Sequence, residues 1–581
     1  NDRNPKLSAE YDYKHEKMLR AFNTLYAEYE IIKNLKFKTT FSYDYTTVKG
    51  EKWYDPRTSN GEDENGEVVK RIREYKKMVW SNTLSYLTTF NNIHHLDFLA
   101  GYEIDDTYND YLSGEAYNFT TPDKHAISNG MKTVSVGGSD SRYRLVSYLS
   151  RLNYDYKNKY YLGASFRVDG SSRLHRDNRW GTFWSVSGAW RTIEEEFMQP
   201  VKDWLTDLRI RASYGVNGTL PSDYFGYMGL SSISGGYLEQ PGIQMSQIAN
   251  PNLKWETNYN MNIGLDFGFW DRLNFTIEYY TRTTKNLLMD CPVSMTTGFS
   301  SYLMNIGEVK NKGIELTINS TNIKIKDFNW NTTFNLGHNS NKVVKLDGEQ
   351  TQIVSGTQIH KVGSSYRTFY VQEFAGINPE TGNPLFYTNE LDENGNYIKE
   401  ITENSKNAQF IPYKHAEPTV NGGISNSLRY KWLDLNFLFS YQFGGYSYDT
   451  WAQKTEHGGY DSYANIPTYY RDSWKKPGDQ TNIEVYMPGK SSSVSMHKIT
   501  SSRRIHSTDY FRLKNITFGI TLPKEWTNKI NIGNVRFYAS ASNLWTWAAY
   551  DNYDPEAVSA GSATQTTPPL KTVTFGLNIN F

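Results

Sequence analysis

The chain has 581 residues, and 62 basic and 62 acidic side chains give it a formal net charge of zero. Because nucleic-acid-binding proteins carry a basic excess or a basic stripe, this balance argues against a nucleic-acid partner. The mean hydropathy is low, at -0.66, yet aromatic residues make up 15% of the chain, which excludes a disordered protein. The single cysteine rules out an intrachain disulfide, and the sequence contains no apolar run of about 18 residues that would predict a transmembrane helix.

Segments in which apolar and polar residues alternate recur along the whole chain and predict about seventeen β-strands. Their apolar faces carry no charge, whereas the opposite faces carry charges freely. Since Arg or Lys facing lipid costs about 2–4 kcal/mol at mid-membrane, this pattern predicts an all-β fold, a transmembrane antiparallel β-barrel. In chain order, the clearest strands are 19–31, 35–45, 208–216, 259–269, 273–279, 433–443 and 572–581.

The connections between these strands alternate in length, as outer-membrane barrels alternate short periplasmic turns with long outer loops. The short ones fall at 33–34, 91–92, 157–158, 270–271 and 431–432. The long ones lie at about 46–76, 104–140, 218–254, 340–418 and 444–508. We therefore expect residues 1–581 to form one barrel domain in the outer membrane of a Gram-negative bacterium.

The two ends of the chain suggest what else the protein contains. The last strand ends on an aromatic residue, Phe581, as outer-membrane barrels commonly do, so Phe581 is the predicted assembly signal. At the other end, the first strand would run downward from the outside. An odd number of strands is then expected ahead of Asn1, because an open barrel leaves unpaired edge groups in lipid. We expect the chain to be the C-terminal part of a longer protein.

Several segments near the strand ends resemble the SusC/RagA-type TonB-dependent outer-membrane transporters. They occur in the expected order and span nearly the whole chain, at 166–173, 180–190, 193–198, 208–218, 250–257, 307–315, 510–519, 542–544 and 553–556. The resemblance implies a plugged barrel of about 22 strands, with the plug, five strands and the TonB-contacting segment upstream. It also implies a SusD-like lipoprotein lid, energy coupling through TonB, and oligosaccharides or, in some cases, peptides as substrates.

The sequence contains no convincing catalytic constellation, metal site or cofactor motif, so we do not expect an enzyme. The more plausible functional surface is the aromatic content of the long loops, because sugar C–H faces stack on Trp and Tyr rings. The alternative for each residue is packing of the loops on one another or on the lid protein. The candidate ligand-binding residues are Trp53, Tyr54, Tyr224, Tyr227, Tyr237, Trp451, Tyr460, Tyr463, Tyr469 and Tyr470.

Two other kinds of protein remain open at this stage. A passive porin or a barrel adhesin would share the strand pattern but lack a plug and a TonB-contacting segment. A soluble all-β carbohydrate-binding protein would share the loop aromatics but would not need detergent. The importer is the leading hypothesis, because only the importer accounts for the ordered family segments.

Overall fold

The computed structural model describes residues 4–237, 240–346, 351–459, 466–487, 499–530, 532–558, 560–564 and 566–580. Within these residues, a 17-stranded sheet confirms the predicted β-barrel fold class and the predicted number of strands. The strands are β1 Tyr13–Ile32, β2 Leu35–Tyr54, β3 Glu67–Phe90, β4 His94–Phe119, β5 Gly130–Tyr156, β6 Tyr160–Ser171, β7 Trp180–Trp190, β8 Leu205–Thr219, β9 Glu256–Phe269, β10 Leu273–Pro292, β11 Ser301–Lys324, β12 Phe328–Leu346, β13 Val420–Tyr430, β14 Leu433–Phe443, β15 Tyr510–Thr521, β16 Asn534–Ala548 and β17 Thr572–Asn580.

Helices are few and short in the described residues. The α-helices are Pro5–Tyr11, Thr450–Thr455 and Lys524–Thr527. Within the described ranges, no helix has both the length and the apolar character that a membrane span requires.

The chain divides into two compact units. The first unit comprises Asn1–Gly188, Tyr214–Asn258 and Leu288–Asn305, and the second comprises Ala189–Ser213, Tyr259–Leu287 and Ile306–Phe581. In the first unit, strands β1 to β6 pair in sequence order, each antiparallel to the next. In the second unit, strands β11 to β17 pair in the same consecutive antiparallel manner.

The short connections lie where the sequence predicts them, and their backbone explains why so few residues suffice. Two-residue hairpin turns of the tightest kind need positive φ angles at their centre. Positive φ angles of 50–71° occur in all five short connections, at Asn34, Asn91, Asn92, Lys157, Asn158, Trp270, Asp271 and Lys431. Asn and Asp tolerate this region better than other residues, which makes Trp270 and the two lysines the unusual members.

Two of the long connections are shorter than the sequence predicts. Strand β2 continues to Tyr54 and β3 begins at Glu67, so that only 55–66 connect them. Strands β4 and β5 similarly leave only 120–129 between them. The backbone hydrogen bonds between strands continue there although apolar and polar residues no longer alternate. Beyond the membrane both faces of a strand contact water, so the paired backbone groups alone maintain the strand.

The strands in each unit have an exposed apolar face. In the second unit, Leu265 and Ile277 are 37% exposed, whereas Asp266 on the other face is 6% exposed. In the first unit, Phe37, Phe41 and other large apolar residues are likewise exposed. An apolar surface of this extent is a surface built to contact lipid or another apolar partner.

The second unit also contains a layer of small sheets formed by its long connections. A four-stranded sheet comprises Gln352–Ser355, Gln358–Lys361, Thr368–Gln372 and Phe410–His415. One three-stranded sheet comprises Phe374–Ile377, Pro384–Tyr387 and Ile401–Thr402. A second three-stranded sheet comprises Tyr446–Asp449, Ile505–Ser507 and Ser562–Ala563. Phe369, Val371 and Tyr448 form one buried core of this layer, and Phe386, Ala408 and Ile499 form another.

Candidate ligand site in the loop layer

A cavity of about 620 Å³ opens in the loop layer of the second unit. It lies where the helix Thr450–Thr455, the end of β16 and residues 551–568 meet. Its lining consists of Asp449, Trp451, Arg512, Thr546, Trp547, Ala548, Asp551, Asn552, Tyr553, Asp554, Pro555, Ala563, Thr564, Thr566 and Pro568. Three carboxylates and one guanidinium therefore face a space that also contains two indole rings.

Asp449 anchors one side of this cavity and is 1% exposed. One carboxylate oxygen accepts a hydrogen bond from the backbone N–H of Ala452 at 2.7 Å and so caps the helix that carries Trp451. The other oxygen accepts a hydrogen bond from the Tyr550 hydroxyl at 3.0 Å. The Tyr550 ring stacks on His506 with centroids 3.7 Å apart. These contacts fix the position of Trp451 relative to residues 550–552.

Burial changes the acid–base behaviour of the aromatic groups near Asp449. It lowers the pKa of His506, which therefore favours the neutral imidazole. It raises the pKa of Tyr553 to about 12. It also raises the pKa of Tyr550, with a further contribution from the Asp449 carboxylate. All three side chains are consequently uncharged near neutral pH, and the charge of this side of the cavity comes from its carboxylates.

Arg512 anchors the other side and is also 1% exposed. Its Nη2 donates to Asp554 at 2.5 Å, its Nη1 donates to Glu556, and its Nε donates to the Thr546 hydroxyl at 2.9 Å. Lys514 donates to Glu556 at 2.7 Å. Buried charges remain ionised only when they are paired in this way, so these pairs hold residues 554–556 against strand β15.

The groups that a ligand can reach are those exposed at the mouth of the cavity. Trp451 is 40% exposed and Trp547 is 48% exposed, while Asp551 and Asn552 are exposed next to them. Indole rings offer apolar faces, and the carboxylate and amide offer hydrogen-bonding groups. The excess of carboxylates favours neutral or cationic ligands over anionic ones.

Trp53 and Tyr54 were predicted to lie in a long loop, but the structure places both at the end of strand β2, which continues beyond the apolar alternation. Trp53 is 1% exposed and packs edge-on against Phe119 at 5.0 Å and flat on His125 at 4.1 Å. Tyr54 is half-buried, with the Lys52 ammonium 4.3 Å from its ring. Trp53 therefore packs against the end of β4 and the 120–129 connection, Tyr54 contacts a residue of its own strand, and a role in ligand binding stays a prediction.

The predicted tyrosines of the 218–254 connection contact cationic or ring side chains of the same unit. The Arg173 guanidinium lies 3.9 Å from the Tyr143 ring and 4.3 Å from the Tyr224 ring, and so sits between them. Tyr227 meets His175 edge-on, with ring centroids 6.0 Å apart. These contacts pin the connection to residues 172–175.

In the second unit, Trp451 is the predicted residue that reaches the cavity. Tyr469 donates its hydroxyl hydrogen to Glu456, and burial raises its pKa. Tyr470 is 4% exposed and lies beside Tyr469. Tyr460, Tyr463, Phe581 and the side chain of Tyr237 lie outside the described residues.

Sequence reasoning missed most of the cavity lining. Trp547 follows the segment 542–544, and Asp551 and Asn552 precede the segment 553–556, both of which resemble the family. Proximity to these two segments is the sequence signal that could have identified these residues as part of a site. Within the described residues, no group of three or more His, Cys, Asp or Glu side chains could hold a metal ion.

The strand order and the exposed apolar strand face together define a transmembrane β-barrel protein. The family model for the TonB-dependent receptor-like β-barrel matches residues 1–397, and the chain belongs to this family.

Similar proteins support the resemblance to SusC and RagA. The TonB-dependent receptor P3 of Formosa agariphila is 32% identical over 96% of this chain and 57% of its own length. SusC of Bacteroides thetaiotaomicron is 29% identical over 89% of this chain and 51% of its own length. A chain of the RagAB peptide transporter matches with a TM-score of 0.89 and 26% identity over 99% of this chain and 63% of that one. The chain thus spans between half and two thirds of the length of these relatives.

Proposed function

We propose that this chain forms most of the barrel of an outer-membrane importer that takes up oligosaccharides or peptides. The observation that carries the proposal is the match over nearly the whole chain to a peptide transporter barrel, together with membership of the TonB-dependent receptor family. The exposed apolar strand face supports a location in the outer membrane of a Gram-negative bacterium.

The proposed partners follow from the resemblance to SusC/RagA-type transporters. A SusD-like surface lipoprotein would cover the barrel and capture ligand, and TonB would supply energy through a region upstream of this chain. The match to a chain of the RagAB peptide transporter supports the peptide alternative. The oligosaccharide alternative rests on the exposed indole rings of the cavity, on which sugar C–H faces can stack.

The cavity beside Asp449 is the proposed point of ligand contact, with Trp451 and Trp547 as the apolar faces. The other predicted aromatic residues whose rings are partly exposed are proposed to contribute further contacts or to support the lid; they are Tyr54, Tyr224, Tyr227 and Tyr469. Both ligand classes suit these residues, since sugar C–H faces and peptide side chains each stack on aromatic rings.

The proposal is tested by purifying the full-length protein from detergent-solubilised outer membranes and identifying its companions by mass spectrometry. We expect a SusD-like lipoprotein, with glycanases or peptidases that indicate the ligand class. A barrel that purifies without a lipoprotein and without TonB would instead favour a passive porin or an adhesin.

The ligand site is tested with the double variant Trp451→Ala/Trp547→Ala. Each lost stacking contact weakens binding roughly three- to tenfold, measured by titration calorimetry with the oligosaccharide or peptide identified above. Trp526→Ala is the matched control, because Trp526 is also exposed but lies in the helix Lys524–Thr527 outside the cavity lining. Equal affinities of the wild type and the double variant would rule out this cavity as the site.

A further inference from the structure

Three lysines form a cluster on the hairpin of β11 and β12 in the second unit. Lys310, Lys312 and Lys342 line an open cavity of about 310 Å³ together with Ser340 and Val344. The strand register places Lys310 directly opposite Lys342 and Lys312 opposite Ser340. All three lysines are exposed, and none has an ion-pair partner among the described residues.

This arrangement is electrostatically unfavourable as it stands. Like charges directly opposite each other on neighbouring strands destabilise the pair, and the cavity lining contains no carboxylate. An anion placed among the three ammonium groups would remove that repulsion.

The lysines lie on the same face of the sheet as the apolar residues Ile314, Leu316 and Leu336, which we call the apolar band. Side chains of a strand alternate between faces, so Lys310 and Lys312 share a face with Ile314 and Leu316. On β12, Lys342 likewise shares a face with Leu336. Ile314 is 48% exposed, as expected for a residue that faces lipid.

The position along the strands sets the depth of the cluster. A tilted strand crosses the hydrocarbon core in about 9–11 residues. The stretch from Phe328, beside the short turn at 325–327, to Leu336 matches this length, and Lys342 comes after it. The cluster therefore lies past the apolar band, at the end of the strands that carries the long connections, where lipid headgroups begin.

We propose that Lys310, Lys312 and Lys342 bind the phosphate groups of an anionic lipid in the leaflet at the long-loop end of the barrel. Basic pockets next to membrane-spanning segments bind anionic headgroups through this chemistry. A lipid is favoured over an acidic protein because the patch continues the lipid-facing side of the sheet. The inference rests on the proposed outer-membrane location.

The test uses the purified full-length protein in detergent, titrated with bisphosphorylated lipid A and followed by native mass spectrometry. The triple variant Lys310→Gln/Lys312→Gln/Lys342→Gln should bind roughly 100-fold more weakly, since each lysine near an anionic headgroup strengthens attraction about fivefold. Dephosphorylated lipid A should bind the wild type as weakly as the phosphorylated lipid binds the variant.

Lys326→Gln is the matched control, because Lys326 is exposed in the turn at the opposite end of the same hairpin. It should bind lipid A like the wild type. Equal lipid binding by the triple variant and the wild type would overturn the lipid site, and so would tighter binding of an acidic peptide than of lipid A. If the triple variant fails to assemble, the comparison of phosphorylated and dephosphorylated lipid on the wild type decides the question. If the wild type binds lipid A but imports neither oligosaccharides nor peptides, the result counts against the proposed function and leaves the lipid site intact.

Discussion

Two regions of the second unit place the same kinds of side chain in opposite environments. In the parts of β9 and β10 that belong to this unit, Leu265 and Ile277 are exposed and Asp266 is buried. In the loop layer, Phe369 and Phe386 have no exposed surface. The strands are thus organised for lipid on their apolar face, and the layer is organised for water around an apolar core.

The two regions share ion pairs in which at least one charged partner is buried. On the polar face of β9, Asp266 accepts hydrogen bonds from Arg209 at 3.0 Å and from Arg211 at 3.1 Å. In the loop layer, Arg504 has no exposed surface and donates to Glu456. In both regions the pairing compensates for the cost of removing charges from water.

The largest expected effect comes from removing the cation that joins the loop layer to β15. Arg512→Ala leaves Asp554 without its guanidinium partner, and breaking a buried pair costs about 3–5 kcal/mol. Limited proteolysis of the purified protein should cut residues 551–568 sooner than in the wild type. Arg471→Ala, at an exposed arginine of the same unit, serves as the control. Unchanged protection in Arg512→Ala would show that the pair does not hold the layer.

A substitution on the apolar face of β9 tests the lipid assignment. Leu265→Arg should cost about 2–4 kcal/mol at mid-membrane and lower the amount of barrel in the outer membrane. Asn262→Arg should be tolerated, because Asn262 lies on the polar face and donates to Glu278 at 3.0 Å. Heat-modifiability on gels and surface labelling measure both variants. Equal effects of the two substitutions would contradict the facing of the strand.

Acid should loosen the loop layer before it affects the strands. The pKa of His506 is lowered in the folded protein from the ordinary value of 6.5, because burial disfavours the imidazolium. Its contribution to stability is therefore present above pH 6.5 and is lost as the pH falls towards the folded pKa. The protection of the amides of 505–507 against hydrogen exchange, measured relative to the intrinsic exchange rate at each pH, should fall over this range, and the fall should be absent in His506→Phe. A protection factor that does not change with pH in the wild type would contradict the prediction.

The smallest expected effect concerns Phe581, which lies outside the described residues. Deleting this residue should lower the assembly yield, if the terminal aromatic residue is read by the barrel-insertion machinery. Quantitative blotting of outer-membrane fractions measures the yield, and deletion of a residue from the 120–129 connection provides a control of equal size. Wild-type levels of the Phe581 deletion would show that the terminal aromatic is incidental.

Much of the fold was predictable because each strand carries its own local signal. The alternation of Met261, Ile263 and Leu265 with asparagine, glycine and aspartate is visible without any partner strand. The sequence predicts the ends of β2 and β4 too early. The alternation of apolar and polar residues stops where the strands leave the lipid, although the backbone hydrogen bonds to the neighbouring strands continue.

The candidate site was much less predictable. Trp451 was identified because it lies in the long connection predicted at 444–508, whereas Trp547 lies near the end of strand β16, outside the long predicted connections. Trp53 has the same residue type and was likewise predicted to lie in a loop, yet it lies at the end of strand β2 and is buried beside Phe119. Residue type alone cannot separate a ring that covers a loop core from one that faces a cavity.

The sequence by itself determined the strands, the short turns, the apolar face and the family, because all of these follow from patterns between near neighbours. Only the tertiary structure decided which distant segments meet. It brings Arg512 to Asp554 and Asp449 to Tyr550, and it sets Lys310 against Lys342. Each of these contacts joins residues that are far apart in the chain, and their geometry depends on strand register and loop packing that no local pattern encodes.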